Sequence, residues 1–183
     1  KGITGATIYA ANTDALHLSV TKADEKLLIG KELTRGLGAG GKPQQGREAA
    51  KESISEIKKT LTGADMVFIC SGMGGGTGTG AAPVIAQLAK ETGAIVIGVV
   101  TMPFEAEKAR IDKAEFGLQE LREVTDTTIV LDNNRLVDIA GQLPIEQAFA
   151  VANELISTMI KGIVETITLP SLINLDYADV STI

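Results

Sequence analysis

A run of seven residues, five of them glycine, lies at residues 74–80 of the 183-residue chain. An apolar segment, residues 66–70, precedes it, and a segment with helical character, residues 81–91, follows it. Glycine lets the backbone approach an anion closely, and the first turn of a helix offers unpaired N–H groups and a positive dipole end. Thr77 and Thr79 add hydroxyl donors. Strand, glycine loop and helix in this order predict a phosphate-binding site.

Two common phosphate-binding motifs do not match this loop. It contains no lysine, so it is not a Walker A loop. A dinucleotide fingerprint requires an acid at the end of the next strand, about 20 residues further on, and that strand ends at Thr101. A flexible linker is the third alternative, although linkers are not usually held between a buried strand and an amphipathic helix.

The composition limits the class of protein. Hydrophobic residues make up 44% of the chain, which is enough for one domain with a core. The net charge of −6 and the aromatic content of 3% disfavour nucleic-acid binding. A single cysteine excludes an internal disulfide and suits a reducing cytoplasm. No apolar run reaches the ~18 residues of a membrane span, and no signal peptide is visible.

Hydrophobic patterns predict an α/β fold with a mostly parallel, Rossmann-like sheet between helices. Residues 94–101 form an unbroken apolar strand, which is typical of a parallel sheet covered on both faces. Further strands are predicted at 6–11, 26–30, 65–71 and 127–131, with a buried Cys70. Helices are predicted at 47–61, from 107 onward, and at 146–166, the last with an apolar stripe wide enough to pack deep in the structure. A loop with five glycines and a proline spans residues 36–46.

The Gly-Thr-Gly-Thr-Gly form of residues 76–80 resembles the signature loop of the FtsZ branch of the tubulin superfamily, the cell-division GTPases of bacteria and archaea. The resemblance implies a set of nucleotide-binding residues in two glycine loops, at strand ends and on the long helix. These are Asp14, Gly38, Ala39, Gly40, Gly74, Gly75, Gly76, Thr77, Gly78, Thr79, Gly80, Thr101, Pro103, Glu107, Arg110, Asn133, Phe149 and Glu154. In the resemblance, the Asn-Thr-Asp-Ala segment that contains Asp14 faces the nucleotide phosphates and the metal, and no side chain is assigned as a direct metal ligand.

Local sequence alone leaves alternatives at several of these positions. Asp14 follows a strand and could instead form an Asx turn. Residues 36–46 could be a mobile surface loop rather than a phosphate contact. Glu107 and Arg110 could be a surface ion pair at i,i+3 spacing. This chain also lacks the glycine that usually follows the family's acid, and it has one residue fewer in that loop.

The resemblance implies a guanine pocket. Phe149 would stack on the base, whereas local sequence alone makes it a core residue. Asn133 and Glu154 would recognise the base edge, because a carboxylate that accepts both guanine N–H groups selects G over A. Most family members have aspartate where this chain has Glu154.

An acidic segment near the end of the chain contains Asn174, Asp176 and Asp179. Locally it could cap a helix or form a loose metal site, although the spacing is not that of a calcium loop. It resembles the family's synergy loop, whose acids complete a neighbouring subunit's catalytic site. About 21 helical residues precede it and span roughly 30 Å, so the acids should lie far from their own nucleotide. Such a head-to-tail contact generates filaments.

The resemblance therefore implies a cytoplasmic GTPase that binds GTP and GDP with Mg²⁺, polymerises with itself and acts at the division site. Residues 1–183 would be an incomplete GTP-binding domain. A first strand with another phosphate loop would precede them, and a second domain and a tail for division adaptors would follow. Neither nucleic acid nor direct membrane insertion is expected. The alternatives are a dinucleotide-dependent oxidoreductase, a nucleotide sensor without turnover, and a relative from the archaeal cell-shape branch.

Overall fold

The computed structural model describes residues 6–135 and 145–168. Internal contacts divide the chain into one unit at Ile8–Leu131 and another that combines Lys1–Thr7 with Asp132–Ile183. The elements up to the end of the last strand are β1 (Tyr9–Asn12), α1 (Ala15–Val20), β2 (Glu25–Leu28), α2 (Lys31–Thr34), α3 (Pro43–Glu52), α4 (Ile54–Leu61), β3 (Met66–Gly72), α5 (Thr77–Glu91), β4 (Ile95–Met102), a 3₁₀ turn (Glu105–Glu107), α6 (Lys108–Val124) and β5 (Thr127–Asp132).

The strands form two sheets. In one, β1 and β2 run parallel, with Tyr9 opposite Glu25. In the other, β3 and β4 run parallel, with Met66 opposite Ile95, and β5 adjoins β4 on its other side. Helices α5 and α6 pack against the second sheet. The predicted α/β fold with parallel strands flanked by helices is confirmed.

Strand β4 is the most deeply buried strand of the described residues, as its continuous apolar sequence predicts. Four of its residues are at most 3% exposed: Val96, Ile97, Val99 and Val100. Such burial requires cover on both faces of the strand. On β3, by contrast, Cys70 is exposed, so the prediction of a buried cysteine was wrong. Partial desolvation of its thiol nevertheless raises the pKa of Cys70.

The helix predicted at residues 47–61 begins earlier and is interrupted. Helix α3 begins at Pro43, which suits a first helical turn because its missing N–H would have no helical partner there. The break falls at Ser53, between α3 and α4. The hydroxyl of Ser53 accepts a hydrogen bond from the buried amide of Gly30 at 3.0 Å. A tertiary bond thus fixes the break, and the loop predicted at 36–46 is shorter than expected.

Helices α3 and α5 cross closely because glycine lies at their contact. A Cβ atom on Gly46 would overlap the carbonyl oxygen of Gly76, and one on Gly80 would overlap that of Pro43. Several alanines of the two helices are also buried: Ala49, Ala50, Ala81, Ala82, Ala86 and Ala89. This crossing brings the amino-terminal ends of the two helices together at the carboxyl end of β3.

The opposite end of β4 is held by Asp126. Its carboxylate accepts a hydrogen bond from the amide of Val96 at 2.8 Å, and Lys90 lies 3.2 Å from its other oxygen. The Val96 bond, followed by the hydrogen bond and charge of Lys90, lowers the pKa of Asp126. Asp126 therefore stabilises the fold far from the glycine loops.

In the other unit, helix α7 (Ile145–Thr168) has 24 residues and matches the predicted helix closely in extent. Val164 is buried, but Val151 is 39% exposed and Leu155 is 55% exposed. The expectation that the apolar stripe is packed deep in the structure was therefore wrong at these two residues. None of the helices in residues 6–135 and 145–168 is long and apolar enough to cross a membrane.

Candidate functional site

The glycine run at residues 74–80 connects β3 to α5. The amide of Met73 donates to the carbonyl of Thr101 on β4 at 2.9 Å, which fixes where the loop leaves the sheet. Gly74 has a φ of 93°, a left-handed conformation that favours glycine. Its amide donates to the hydroxyl of Thr79 at 2.9 Å, and Thr79 is only 1% exposed. Thr79 thus acts on the shape of the loop, since its buried hydroxyl oxygen accepts this hydrogen bond.

Five consecutive amides at the start of α5 are free within the described part of the chain. No hydrogen bond of residues 6–135 or 145–168 engages the N–H groups of residues 75–79, whereas the next amide, of Gly80, donates to Gly76 at 3.1 Å. Helix α5 has 15 residues, so these donors lie at the positive end of a substantial helix dipole. An anion bound there would satisfy donors that the fold leaves unpaired.

The glycines of this loop serve different purposes. A Cβ added to Gly76 would lie 2.9 Å from both the side chain of Ala39 and the amide nitrogen of Lys42. A Cβ added to Gly78 would lie 2.6 Å from the carbonyl oxygen of Gly72. A Cβ added to Gly80 would likewise overlap the backbone of α3. Gly75 differs from these, because no atom lies within 4 Å of its Cβ position. Packing therefore requires glycine at 76, 78 and 80, while open space adjoins Gly75.

A second group of free amides belongs to the loop between α2 and α3. Glycines with positive φ shape it at positions 36, 38, 40 and 41. The amide of Gly38 donates to the carbonyl of Thr13, and that of Lys42 donates to the carbonyl of Ala39. Among the described residues, no hydrogen bond engages the N–H groups of residues 39–41. Ala39 and Lys42 also close on Gly76, so the two groups of free amides lie side by side.

The end of β1 completes this arrangement. Thr13 is fully buried, and its hydroxyl lies 2.7 Å from that of Thr77 at the start of α5. Asp14 caps α1 by accepting the amide of His17 on Oδ1 at 2.9 Å. Its Oδ2 lies 3.7 Å from the Cβ position of Gly38, beside the second glycine loop. Asp14 thus has a local capping role and also lies at the loops, so both interpretations from the sequence are compatible with its position.

The carboxyl end of β4 and the start of α6 line the other side of the glycine run. Thr101 is half-buried and Pro103 is buried. Glu107 and Arg110 form the predicted ion pair, with 2.8 Å between Oε2 and Nη1. The Cβ of Arg110 lies 2.9 Å from the Cβ position of Gly74. The pair therefore adjoins the signature loop, which the i,i+3 spacing alone did not require.

Two residues that the sequence analysis did not select belong to this site. Thr13 contacts Thr77 across 64 positions, and Lys113 donates from Nζ to the carbonyl oxygen of Gly41 at 3.0 Å across 72 positions. A threonine directly after a strand and before an aspartate was the available signal for Thr13. Lys113 gave no signal, because a lysine on a helix surface has no local feature that distinguishes it.

A family comparison agrees with this geometry. A sequence model described as "Tubulin/FtsZ family, GTPase domain" matches residues 3–141. The chain belongs to the tubulin/FtsZ family.

Curated relatives within the tubulin/FtsZ family are archaeal cell division proteins. The chain is 57% identical to "Cell division protein FtsZ 2" of Methanocaldococcus jannaschii over 182 residues, which is 100% of this chain and 48% of that protein. It is 57% identical to "Cell division protein FtsZ 1" of Archaeoglobus fulgidus over 184 residues, 100% of this chain and 50% of that protein. The chain thus spans about half the length of these relatives.

A solved structure gives the same family. The chain superposes on an empty FtsZ dimer of M. jannaschii with a TM-score of 0.91 and 53% identity, over 99% of this chain and 53% of that one. The parallel strands and the two glycine loops therefore belong to the tubulin/FtsZ fold.

The remaining site residues implied by the tubulin/FtsZ resemblance lie in the other unit. Asn133 is 8% exposed, and its Oδ1 has no hydrogen-bond partner among the described residues. Glu154 is exposed on α7. Phe149 is on the same helix, and its side chain is outside what the structure describes. The three proposed catalytic residues also lie outside the described residues: Asn174, Asp176 and Asp179.

Metal-binding capacity in the described residues is limited. No group of three or more His, Cys, Asp or Glu side chains is arranged to hold a metal ion in residues 6–135 and 145–168. Among the residues that the sequence analysis selected, Asp14 has a carboxylate oxygen 3.7 Å from the Cβ position of Gly38, beside the second glycine loop. A single carboxylate suits Mg²⁺, which usually binds through one or two carboxylates together with substrate phosphates and water.

Proposed function

We propose that this chain binds the phosphates of GTP in the paired glycine loops and that the longer protein hydrolyses GTP to GDP and phosphate. The observation that carries the proposal is the juxtaposition of two sets of free amides, at residues 39–41 and 75–79. Eight unpaired backbone donors side by side, five of them at the amino-terminal end of a 15-residue helix, suit a polyanion. The family description as a GTPase domain supports GTP as that polyanion.

Phosphoryl transfer needs positioning and charge stabilisation more than covalent chemistry. The amides of residues 75–79 would hold phosphate oxygens, with the Thr77 hydroxyl oriented by Thr13. Thr79 contributes by fixing the amide of Gly74. The Glu107–Arg110 pair beside Gly74 offers a guanidinium for a phosphate and a carboxylate for a ribose hydroxyl. Thr101 and Pro103 would shape the floor under the ribose.

Magnesium fits the same site. Asp14 would hold the ion through Oδ2, because Oδ1 already accepts the amide of His17. When bound, Mg²⁺ would neutralise phosphate charge and orient the terminal phosphate. Gly38, Ala39 and Gly40 would then contact that phosphate through the second loop.

Base recognition is proposed for Asn133, Phe149 and Glu154. The buried, unpartnered Oδ1 of Asn133 supports this role, since buried polar atoms normally have partners and a ligand could supply one. A carboxylate at Glu154 would accept both guanine N–H groups. Full-length protein should therefore prefer GTP to ATP strongly in competition against a fluorescent GTP analogue, and equal affinities would contradict a guanine site.

Hydrolysis is proposed to require a second subunit. Helix α7, with 24 residues, extends about 36 Å, and the acidic segment follows it in sequence. Asp176 and Asp179 would position the attacking water, and Asn174 would orient it, in a neighbour's site. A contact between different surfaces of identical subunits forms filaments unless it closes into a ring.

Exposed leucines support such an interface beside the phosphate loops. Leu37 is 82% exposed and lies in the second glycine loop, where it forms a β-bridge with Asp14. Leu16, the second residue of α1, is 79% exposed. Apolar side chains that flank a nucleotide site suit a neighbouring subunit that covers the bound phosphates. A relative of known structure is described as a dimer, which is consistent with self-association.

The cellular role proposed is that of the curated relatives, which are named as cell division proteins. Filaments of the full-length protein would assemble in the cytoplasm at the division site. Division adaptors would bind through a tail outside this chain. The net charge of −6 gives no support to nucleic-acid binding.

Mixing two inactive variants tests the shared site. In full-length protein, Gly75→Val, whose Cβ would have no atom within 4 Å, should block phosphate approach, while Asp179→Ala should retain GTP affinity and lose about 10²-fold or more in turnover. Each variant alone should have little or no activity, and the mixture should recover activity because the first supplies acids and the second supplies a bound nucleotide. Turnover per molecule that stays constant down to dilutions where the protein is monomeric would refute a shared site.

A further inference from the structure

The second glycine loop has one side-chain tether between residues 39 and 41. Cβ positions at Gly40 and Gly41 have no atom within 4 Å, so packing does not hold this part of the loop. The ammonium group of Lys113, on α6, donates to the carbonyl oxygen of Gly41 at 3.0 Å. Within the described residues this is the hydrogen bond that connects these glycines to another element.

The tether is the first link of a chain of polarised peptide groups. The carbonyl of Gly41 shares its peptide unit with the N–H of Lys42, which donates to the carbonyl of Ala39 at 3.0 Å. That carbonyl shares its peptide unit with the N–H of Gly40, which is free in the described residues. A carbonyl that accepts a hydrogen bond makes the N–H of the same peptide unit a stronger donor, so successive bonds reinforce one another.

We propose that Lys113 is a positioning residue for the terminal phosphate of the nucleotide. It holds the loop at Gly41 and, through two peptide units, strengthens the free amide of Gly40 as an anion donor. The inference rests on the proposed function, in which residues 38–40 contact the terminal phosphate. It adds that a residue remote in sequence makes this loop distinguish GTP from GDP.

Charge and geometry both favour this role over a surface contact without consequence. The nearby cations Arg47 and Arg110 are paired with carboxylates, with Glu120 and Glu107 respectively. Lys113 instead directs its charge to a loop carbonyl. The positive charge of Lys113 at the carbonyl of Gly41 aligns with the dipoles of both peptide units. It therefore favours an anion at the N–H of Gly40.

The test compares Lys113→Met, Lys113→Arg and a matched control, Lys108→Met, in full-length protein. Lys108 is an exposed lysine at the start of the same helix, so its substitution makes the same change in charge. Lys113→Met should weaken GTP binding roughly 5- to 10-fold, as expected for the loss of a charge-assisted hydrogen bond, and leave GDP binding within about 2-fold. Lys113→Arg should restore the GTP/GDP ratio, and Lys108→Met should not change it.

A second measurement does not depend on nucleotide. Hydrogen exchange of the nucleotide-free protein should be faster at residues 39–42 in Lys113→Met than in wild type. The exchange rates of α6 and the melting temperature should be unchanged. Equal losses of GTP and GDP affinity, or wild-type binding with unchanged exchange, would overturn the role of Lys113. A wild-type protein that binds neither nucleotide would instead overturn the proposed function, whatever the exchange rates of the variants.

Discussion

Replacing Gly75 with alanine tests whether phosphate approaches the loop at this position, because the substitution leaves the packing of the loop unchanged. No atom lies within 4 Å of the added Cβ, and the backbone of Gly75 is outside the positive-φ region that strains other residues. The free energy of unfolding should therefore change by no more than about 0.5 kcal/mol, as for substitutions that touch nothing. The new methyl group would extend into the open space beside Gly75, at the start of the run of free amides.

Gly80→Ala is the matched packing variant. Its Cβ would overlap the carbonyl oxygen of Pro43 and lie 2.7 Å from the amide nitrogen of Arg47. Helix propensity favours alanine by about 1 kcal/mol, but overpacking against backbone costs about 1–3 kcal/mol or more. The amide of Gly80 already donates to Gly76, so it is not a free anion donor. We therefore expect Gly80→Ala to reduce stability.

Urea unfolding and GTP titration of full-length variants measure the two effects separately. Gly75→Ala should keep the wild-type unfolding midpoint and lose about tenfold or more in GTP affinity, the size expected when a charge-assisted hydrogen bond is prevented. Gly80→Ala should lower the midpoint. Wild-type GTP affinity in Gly75→Ala would refute phosphate approach at this position, and wild-type stability in Gly80→Ala would refute the close crossing of α3 and α5.

Three further predictions each concern one side chain. Thr79→Val should destabilise the fold by about 1–3 kcal/mol, because the buried amide of Gly74 loses its acceptor; Thr79→Ser, which keeps the hydroxyl, should lose less in urea unfolding. Glu154→Leu should reduce the preference for GTP over ATP by about 1–3 kcal/mol, and an unchanged preference in nucleotide competition would exclude this carboxylate. Asp126→Asn should lower the thermal midpoint at neutral pH, because the amide of Val96 stabilises the carboxylate and lowers its pKa. Stability from a lowered pKa is present above the unfolded-state value of about 3.9 and is lost as pH falls through the folded value, so the deficit should vanish in acid; a deficit independent of pH would contradict this reasoning.

The sequence by itself determined the elements whose causes are local. The unbroken apolar run of β4 required cover on both faces, and the structure buries Val96 and Val100 completely. The order of strand, glycine run and helix determined that unpaired amides lie at the start of α5. Glycine permits the turn, and a helix leaves its first N–H groups unpaired. The pattern of residues 74–80, supported by motifs elsewhere in the chain, also indicated the tubulin/FtsZ family, which the family comparison confirmed.

Only the tertiary structure decided which partners these local elements meet. The break at Ser53 depends on a bond to Gly30, and the burial of Thr79 depends on its bond to Gly74 and on close packing by Gly117 of α6. The glycines of the signature loop look alike in sequence, yet packing against other elements makes some obligatory and leaves Gly75 open. Lys113 reaches Gly41 across 72 positions. Local conformational preferences act over a few residues, whereas these contacts exist only once the folded chain brings distant segments together, so no local pattern encodes them.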